Sequence, residues 1–349
     1  MIRIDGSRYS GSGAIVRQAV AFAALTGQDV HIVNARVKRP KPGLRPQHLR
    51  VVEAIRELVG GTSEGVSVGS QEIVFRPGTA STDSRYTWDI GSAGSTTMLA
   101  LALLPVLAFR AASVDVELIG GLFQDYAPSF YHLQQVMLPL LKRMGIDAEM
   151  QMARPGYVPR GGGVLRLSVR PLESSLWPLA LEHPGEVERL WGIALASRLE
   201  ERRVSHRMAE AAQQALAEGG YRAEFEIRYD TSALQPGAAL AAFADLSEGA
   251  RLGADRAGAL RRTAESIGRY VARQLLEDLG AGATLDRYAA DQIIPFAALA
   301  RGESRFQVPV ITDHMQTGAW LASEFLGAEV HFQDHLMVVR GADFRPGPR

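Results

Sequence analysis

Three stretches of this chain begin with histidine, carry apolar residues at helical spacing, stop at glycine and give way to strand-like sequence. They are residues 48–60 (HLRVVEAIRELVG), 132–145 (HLQQVMLPLLKRMG) and 314–327 (HMQTGAWLASEFLG). A recurring pattern of this kind means that one supersecondary unit has been used several times, which restricts the chain to a repeated α/β architecture. Around the first two stretches the elements match one for one. Each unit reads as a strand, a small-residue turn (SRYSGSG, then SAGS), a helix, a second strand, the His-led helix and two further strands. The pattern therefore predicts an α/β (α+β) fold with three repeated βαβαββ-type units.

From residue 182 the texture changes, with a segment at 187–199 that suits a strand or a short helix, a helix at 205–217 and strands near 223–229 and 237–243. These features predict a small α/β domain at 182–258 inserted in the third unit. The large domain then comprises residues 1–181 and 259–340. It takes in a long helical pattern at 259–279 and another helix at 288–300. The GPGPR ending predicts a frayed tail over 341–349.

Composition closes off several chemistries. The 349 residues carry no formal net charge and no cysteine, which removes disulfides, thiolate metal sites and cysteine nucleophiles and makes any nucleic-acid contact a local one. Lysine occurs only at 38, 41 and 142. The longest apolar run, 98–109, is far shorter than the ~20 residues of a membrane helix, and the amino terminus has no apolar signal core. A cytoplasmic protein without a membrane partner is expected.

Four places carry chemistry. His314 follows a strand at 306–311 and sits in the first turn of a helix for which Thr312 or Asp313 is the N-cap; helix starts favour anions. The turns at 10–13 and 91–95 also lead into helices, where backbone N–H groups suit phosphate oxygens, and either equally suits a tight turn of the repeat. The loop NARVKRPKPGLRPQHLR gathers Arg36, Lys38, Arg39, Lys41, Arg45 and Arg50 with no acid between Asp29 and Glu53, a strip suited to a nucleic-acid backbone or a nucleoside triphosphate. Tyr288, Asp291 and Gln292 put an aromatic ring, a carboxylate and an amide within about one helical turn, an arrangement that suits adenine or simply a half-buried helix.

Read together and in order, IDG…GSGAIVR, RPKPGLRPQHL, DIGSAGS, YVPRGGG, YAADQIIP and HMQTG make the sequence similar to the RNA 3′-terminal phosphate cyclases over nearly its whole length. The resemblance implies three repeats with a domain inserted in the third. It also implies an ATP-dependent, ligase-class reaction through a covalent histidine–AMP, with ATP, RNA 3′ ends and a divalent metal (Mg or Mn) taking part. By residue, it implies that His314 is the nucleophile, with Arg17 and Arg39 on the phosphates, and that Pro128 and Tyr288 sandwich adenine. Asp291 and Gln47 would stand near the nucleotide; apart from the resemblance, the chemistry of the residues adds Gln292 there and sets Arg36, Lys41, Arg45 and His48 of the basic loop near RNA phosphate. The chain departs from the family at Ser10, where a glutamate is usual and a metal ligand is expected, and at Ala14, Leu101 and Gly318, where the family carries amides. Metal ligands are therefore not assigned, and an oligomer is left open. Two other functions stay in view: a non-catalytic RNA-binding or assembly protein on the same scaffold, and an adenylyl transferase acting on a different phosphate end.

Overall fold

The structure is a computed structural model and describes residues 1–345. The first unit runs β1 (Ile2–Asp5), α1 (Gly13–Thr26), β2 (Val30–Val33), α2 (Pro46–Leu58), β3 (Thr62–Glu64) and β4 (Ile73–Arg76). The Ser12 hydroxyl starts α1 by accepting from the Ala14 N–H, and Gly27 ends it at φ 71°, a left-handed conformation that a residue without Cβ adopts freely.

The second unit runs β5 (Arg85–Asp89), α3 (Thr96–Ala108), β6 (Val114–Gly120), α4 (Phe130–His132), a π-helical stretch Leu133–Met137, α5 (Leu138–Arg143), β7 (Ala148–Arg154) and β8 (Gly163–Val169). The π stretch has a sequence cause. Pro139 has no N–H to give to the Gln135 carbonyl, and Arg251 Nη1 takes that carbonyl instead, at 3.1 Å.

The third unit opens with β9 (Ala180–Leu181) and breaks off. In the gap lie β10 (Val187–Ser197), α6 (Val204–Glu218), β11 (Ala223–Asp230), β12 (Gly237–Leu246), β13 (Arg251–Ala257) and α7 (Ala264–Gly280). The unit then resumes with α8 (Ala289–Gln292), α9 (Ile294–Leu299), β14 (Arg301–Gln307), α10 (Asp313–Leu326), β15 (Glu329–Gln333) and β16 (Leu336–Ala342).

Strand order makes the repetition plain. The three sheets are ordered β1-β2-β4-β3, β5-β6-β8-β7 and β9-β14-β16-β15. In each, the first pair is parallel and the other two pairs are antiparallel. The fourth sheet, β11-β10-β12-β13, belongs to the inserted segment. Helices α1, α2, α3 and α10 pack on one another between the three repeats, and α3, apolar on every face, is buried along its whole length.

Several elements differ from the sequence reading. Of the two readings offered for 187–199 the strand is found, over Val187–Ser197, because Leu190, Ile193 and Leu195 enter cores on both faces of the sheet. The helix expected over 288–300 is two short ones, since Pro295 can begin a helix but cannot continue one. Helix α7, assigned from sequence to the large domain, packs through Ile267, Val271 and Leu275 into the core formed by α6 and the fourth sheet. An amphipathic pattern identifies a buried face without saying which core receives it. The frayed tail expected over 341–349 is not frayed at its start. Gly341 and Ala342 pair with β14, Phe344 packs edge-on against Phe109 at 5.2 Å, and residues 346–349 lie outside the described residues. Among the described residues no helix is long and apolar enough to cross a membrane.

Candidate active site

Helices α1 and α10 start at one cleft, which the basic loop and α8 complete. His314 is the second residue of α10, whose cap is the Thr312 hydroxyl accepting from the Met315 N–H at 3.2 Å. Its imidazole lies between two groups of opposite charge: Nδ1 is 3.6 Å from Asp291 Oδ2 and Nε2 is 3.5 Å from Arg39 Nη2. A row of hydroxyls fastens α10 to the approach of α1. Thr317 Oγ1 is 2.9 Å from Ser10 Oγ, which is 3.0 Å from Ser12 Oγ.

The cleft encloses about 480 Å³, and Arg17, Arg36, Arg39, Gln47, His48, Pro128, Tyr288, Asp291, Gln292 and His314 all line it. Of the residues placed near the nucleotide or RNA phosphate from sequence, two lie outside this lining. Lys41 is exposed on the basic loop, and Arg45 stands at the start of α2, where its N–H donates to His48 Nδ1 at 3.1 Å. Some lining residues are already engaged. Arg36 Nη1 donates to the carbonyls of Lys41 and Gly43 and shapes the loop, while Gln47 Oε1 accepts from the Ser95 N–H at 3.0 Å and joins α2 to the turn before α3. The lining also includes Arg287 and Tyr126, which the sequence reading passed over. Arg287 directly precedes Tyr288 in the chain, so adjacency was the available signal; nothing local marked Tyr126.

The electrostatics follow from cations crowded into a partly enclosed space. Burial, with Arg36 and Arg39 nearby, draws Arg17 down to about 10. His48 is pushed down to about 2, first by burial and then by four surrounding arginines. Burial and then Arg17 and Arg39 bring His314 down to about 4, against a smaller opposing pull from Asp313. Asp291 moves the other way, up to about 6, because burial outweighs its hydrogen bond with Gln292 and the attraction of Arg17. At neutral pH the site therefore presents neutral imidazoles, an ionised Asp291 and several positive charges, a combination that receives polyphosphate and leaves a ring nitrogen with its lone pair.

A family model described as RNA 3′-terminal phosphate cyclase matches residues 8–332. The chain belongs to this family. Among the most similar relatives named RNA 3′-terminal phosphate cyclase, the protein of Hyperthermus butylicus is 40% identical over 95% of this chain and 94% of its own. That of Methanopyrus kandleri is 38% identical over 95% of both chains, and that of Pyrococcus furiosus 37% identical over 94% of both.

Three of the departures noted in the sequence have packing consequences. Leu101 is buried in the core of α3, Ala14 is buried at the first turn of α1, and a Cβ on Gly318 would come within 3.3 Å of Ile294. At Ser10 the neighbours are hydroxyls bonded to one another. Among the described residues no cluster of three or more His, Asp or Glu could hold a metal ion. Hydroxyls alone do not make the hard, anionic ligand set that Mg²⁺ prefers, so the residues at Ser10 do not fit a protein-held metal.

Proposed function

We propose that this cyclase-family chain converts an RNA 3′-terminal phosphate to a 2′,3′-cyclic phosphate at the expense of ATP, through AMP carried on His314. One observation carries the reading: the setting of the His314 ring, neutral at physiological pH, with a carboxylate at Nδ1 and a guanidinium at Nε2. A carboxylate beside Nδ1 favours the tautomer with its proton there, which leaves the Nε2 lone pair as nucleophile. Nε2 bonds to the α-phosphorus of ATP while the bond to the β-phosphate oxygen breaks, and Arg17 and Arg39 meet the charge of departing pyrophosphate. An oxygen of the RNA 3′-phosphate then takes the adenylyl group and His314 is restored. Attack by the neighbouring 2′-hydroxyl on the 3′-phosphorus closes the ring and releases AMP.

In this reading Pro128 and Tyr288 hold the two faces of adenine, with Gln292 and Gln47 beside the nucleotide. Lys41 and Arg45, on the open edge of the basic loop, meet RNA phosphates, while Arg36 and His48 support that loop from within. Incubation with ATP labelled at the α-phosphate should leave acid-labile label on the protein, absent from His314→Ala, and RNA 3′-phosphate should become resistant to phosphatase. A wild-type protein that stays unlabelled across added divalent metals would defeat the proposal. The hydroxyl row at Ser10 favours one second reading, adenylyl transfer to a different phosphate end. A screen of labelled protein against 5′- and 3′-phosphorylated acceptors separates the two.

A further inference from the structure

Beyond the cleft, along α10 from His314 through Thr317, stand three side chains that the chemistry above does not use: Arg8, Tyr9 and Trp320. Trp320 lies six residues after His314, about 9 Å along the helix at 1.5 Å per residue. Thr317, between them, accepts from the Ser10 N–H at 3.3 Å, which lays the 8–10 turn on this part of α10. The Arg8 guanidinium carbon sits 4.4 Å from the Trp320 ring centre and 5.4 Å from that of Tyr9, and the two rings are 5.9 Å apart.

The group is held in place and left partly open. Trp320 Nε1 donates to Glu324 Oε1 at 2.9 Å. Tyr9 has φ 44°, a left-handed conformation unfavourable for a residue with a Cβ, and Lys38 Nζ clamps it by donating to its carbonyl at 3.1 Å. Arg8 is exposed, Tyr9 and Trp320 are partly exposed, and Arg8 makes no ion pair with a carboxylate among the described residues. An unpaired guanidinium lying on an indole is a flat, positively charged plane, the kind of surface on which single-stranded bases stack with little regard to sequence. From His314 it is offset by about 9 Å along α10 and by about 240° around it, a path that several nucleotides of a single strand can follow.

We propose that Arg8, Tyr9 and Trp320 form a stacking subsite for a nucleobase near the 3′ end of the RNA. The proposal rests on the cyclase reading for its choice of ligand. A single-stranded, 3′-phosphorylated RNA suits both the unpaired charge and the continuity with the cleft.

The test measures equilibrium binding of the full-length protein, without ATP, to a 3′-phosphorylated oligoribonucleotide and to versions lacking the base of the last or the penultimate nucleotide. One of the abasic oligonucleotides should bind roughly tenfold or more weakly, the worth of one base stacked on an aromatic plane. Trp320→Ala should weaken binding of the intact RNA by the same factor and abolish the discrimination, and Trp320→Phe should recover most of both. Arg8→Ala, at an exposed position, should act in the same direction and serves if Trp320→Ala does not fold. Labelling of each variant from ATP reports on the nucleotide site separately. Equal wild-type binding of intact and abasic RNA, or discrimination that survives the loss of both Trp320 and Arg8, would overturn the subsite. Base-dependent binding by a protein that never becomes labelled would keep the subsite and remove the catalytic reading.

Discussion

His132 and His314 begin corresponding helices of two repeats, yet they occupy opposite kinds of place. The His132 ring is fully buried, with Nε2 at 3.0 Å from both oxygens of Asp286, and Asp286 also accepts N–H groups from Gly253, Tyr288 and Ala289. The His314 side chain is 40% exposed at the edge of a cleft. Part of the difference is a matter of one residue. The cap of the second helix is Ser129, three residues before its histidine, and the cap of α10 is Thr312, two residues before. One residue turns a side chain by about 100° around the helix, so the same letter in the same repeat faces another way. His48 keeps the three-residue spacing, from Arg45, and it too is buried. The comparison teaches that in a repeat the copy that reaches the cleft, here the proposed nucleophile, is distinguished by its offset from the cap and by the charges around it.

The sharpest way to break this comparison is to remove each ring in turn. His314→Ala should lose all label from ATP while keeping its denaturant midpoint, because a partly exposed ring contributes little to the core. His132→Ala should do the reverse. It leaves the Asp286 carboxylate buried without its imidazole partner, a cost of roughly 3–5 kcal/mol, and the protein that remains folded should still take label. Adding Asp286→Asn to His132→Ala should recover part of the lost stability. Equal losses of label from His314→Ala and His132→Ala, with stability unchanged in both, would erase the distinction.

The third copy supplies a smaller effect. A Cβ on Gly13 would fall 2.0 Å from His48 Nε2 and 3.2 Å from Arg17 Nη1. Gly13→Ala must therefore displace a buried ring and, with it, a cleft arginine. Overpacking of this kind costs about 1–3 kcal/mol, and labelling should fall along with thermal stability. Retention of both would mean that His48 is loosely held and that its burial has no bearing on the site.

Much of this architecture was legible in the sequence, and the illegible part has physical reasons. Helical spacing and glycine stops are local signals, so the repeated units could be read. The partners of those elements are not local. Nothing near His132 points to Asp286, 154 residues away, and the pattern of α7 does not say which of two cores it enters. The cleft was legible only through the motifs that resemble the family, since Arg39 and His314 meet across 275 residues. The one-residue shift at Thr312 was written in the sequence, but it becomes readable only once the capping residue is known.

The finest distinction between the two histidines is their titration. His132 is raised by Asp286 against the effect of burial, whereas His314 is lowered to about 4. Asp291, beside His314, is raised to about 6 and so carries its charge above that pH and loses it below. As pH falls from 7 through 6, Asp291 takes up a proton and ceases to favour the proton on Nδ1, and the labelling rate should slip several-fold. As pH falls further through 4, the ring itself is protonated, its lone pair is lost, and labelling should drop about tenfold per pH unit. Asp291→Asn should label more slowly at pH 7 and lack the limb near 6 while keeping the one near 4. Taking the ratio of wild type to variant at each pH cancels the titration of ATP. A ratio that stays flat from pH 7 down to 5 would mean that the charge of Asp291 has no bearing on the His314 ring.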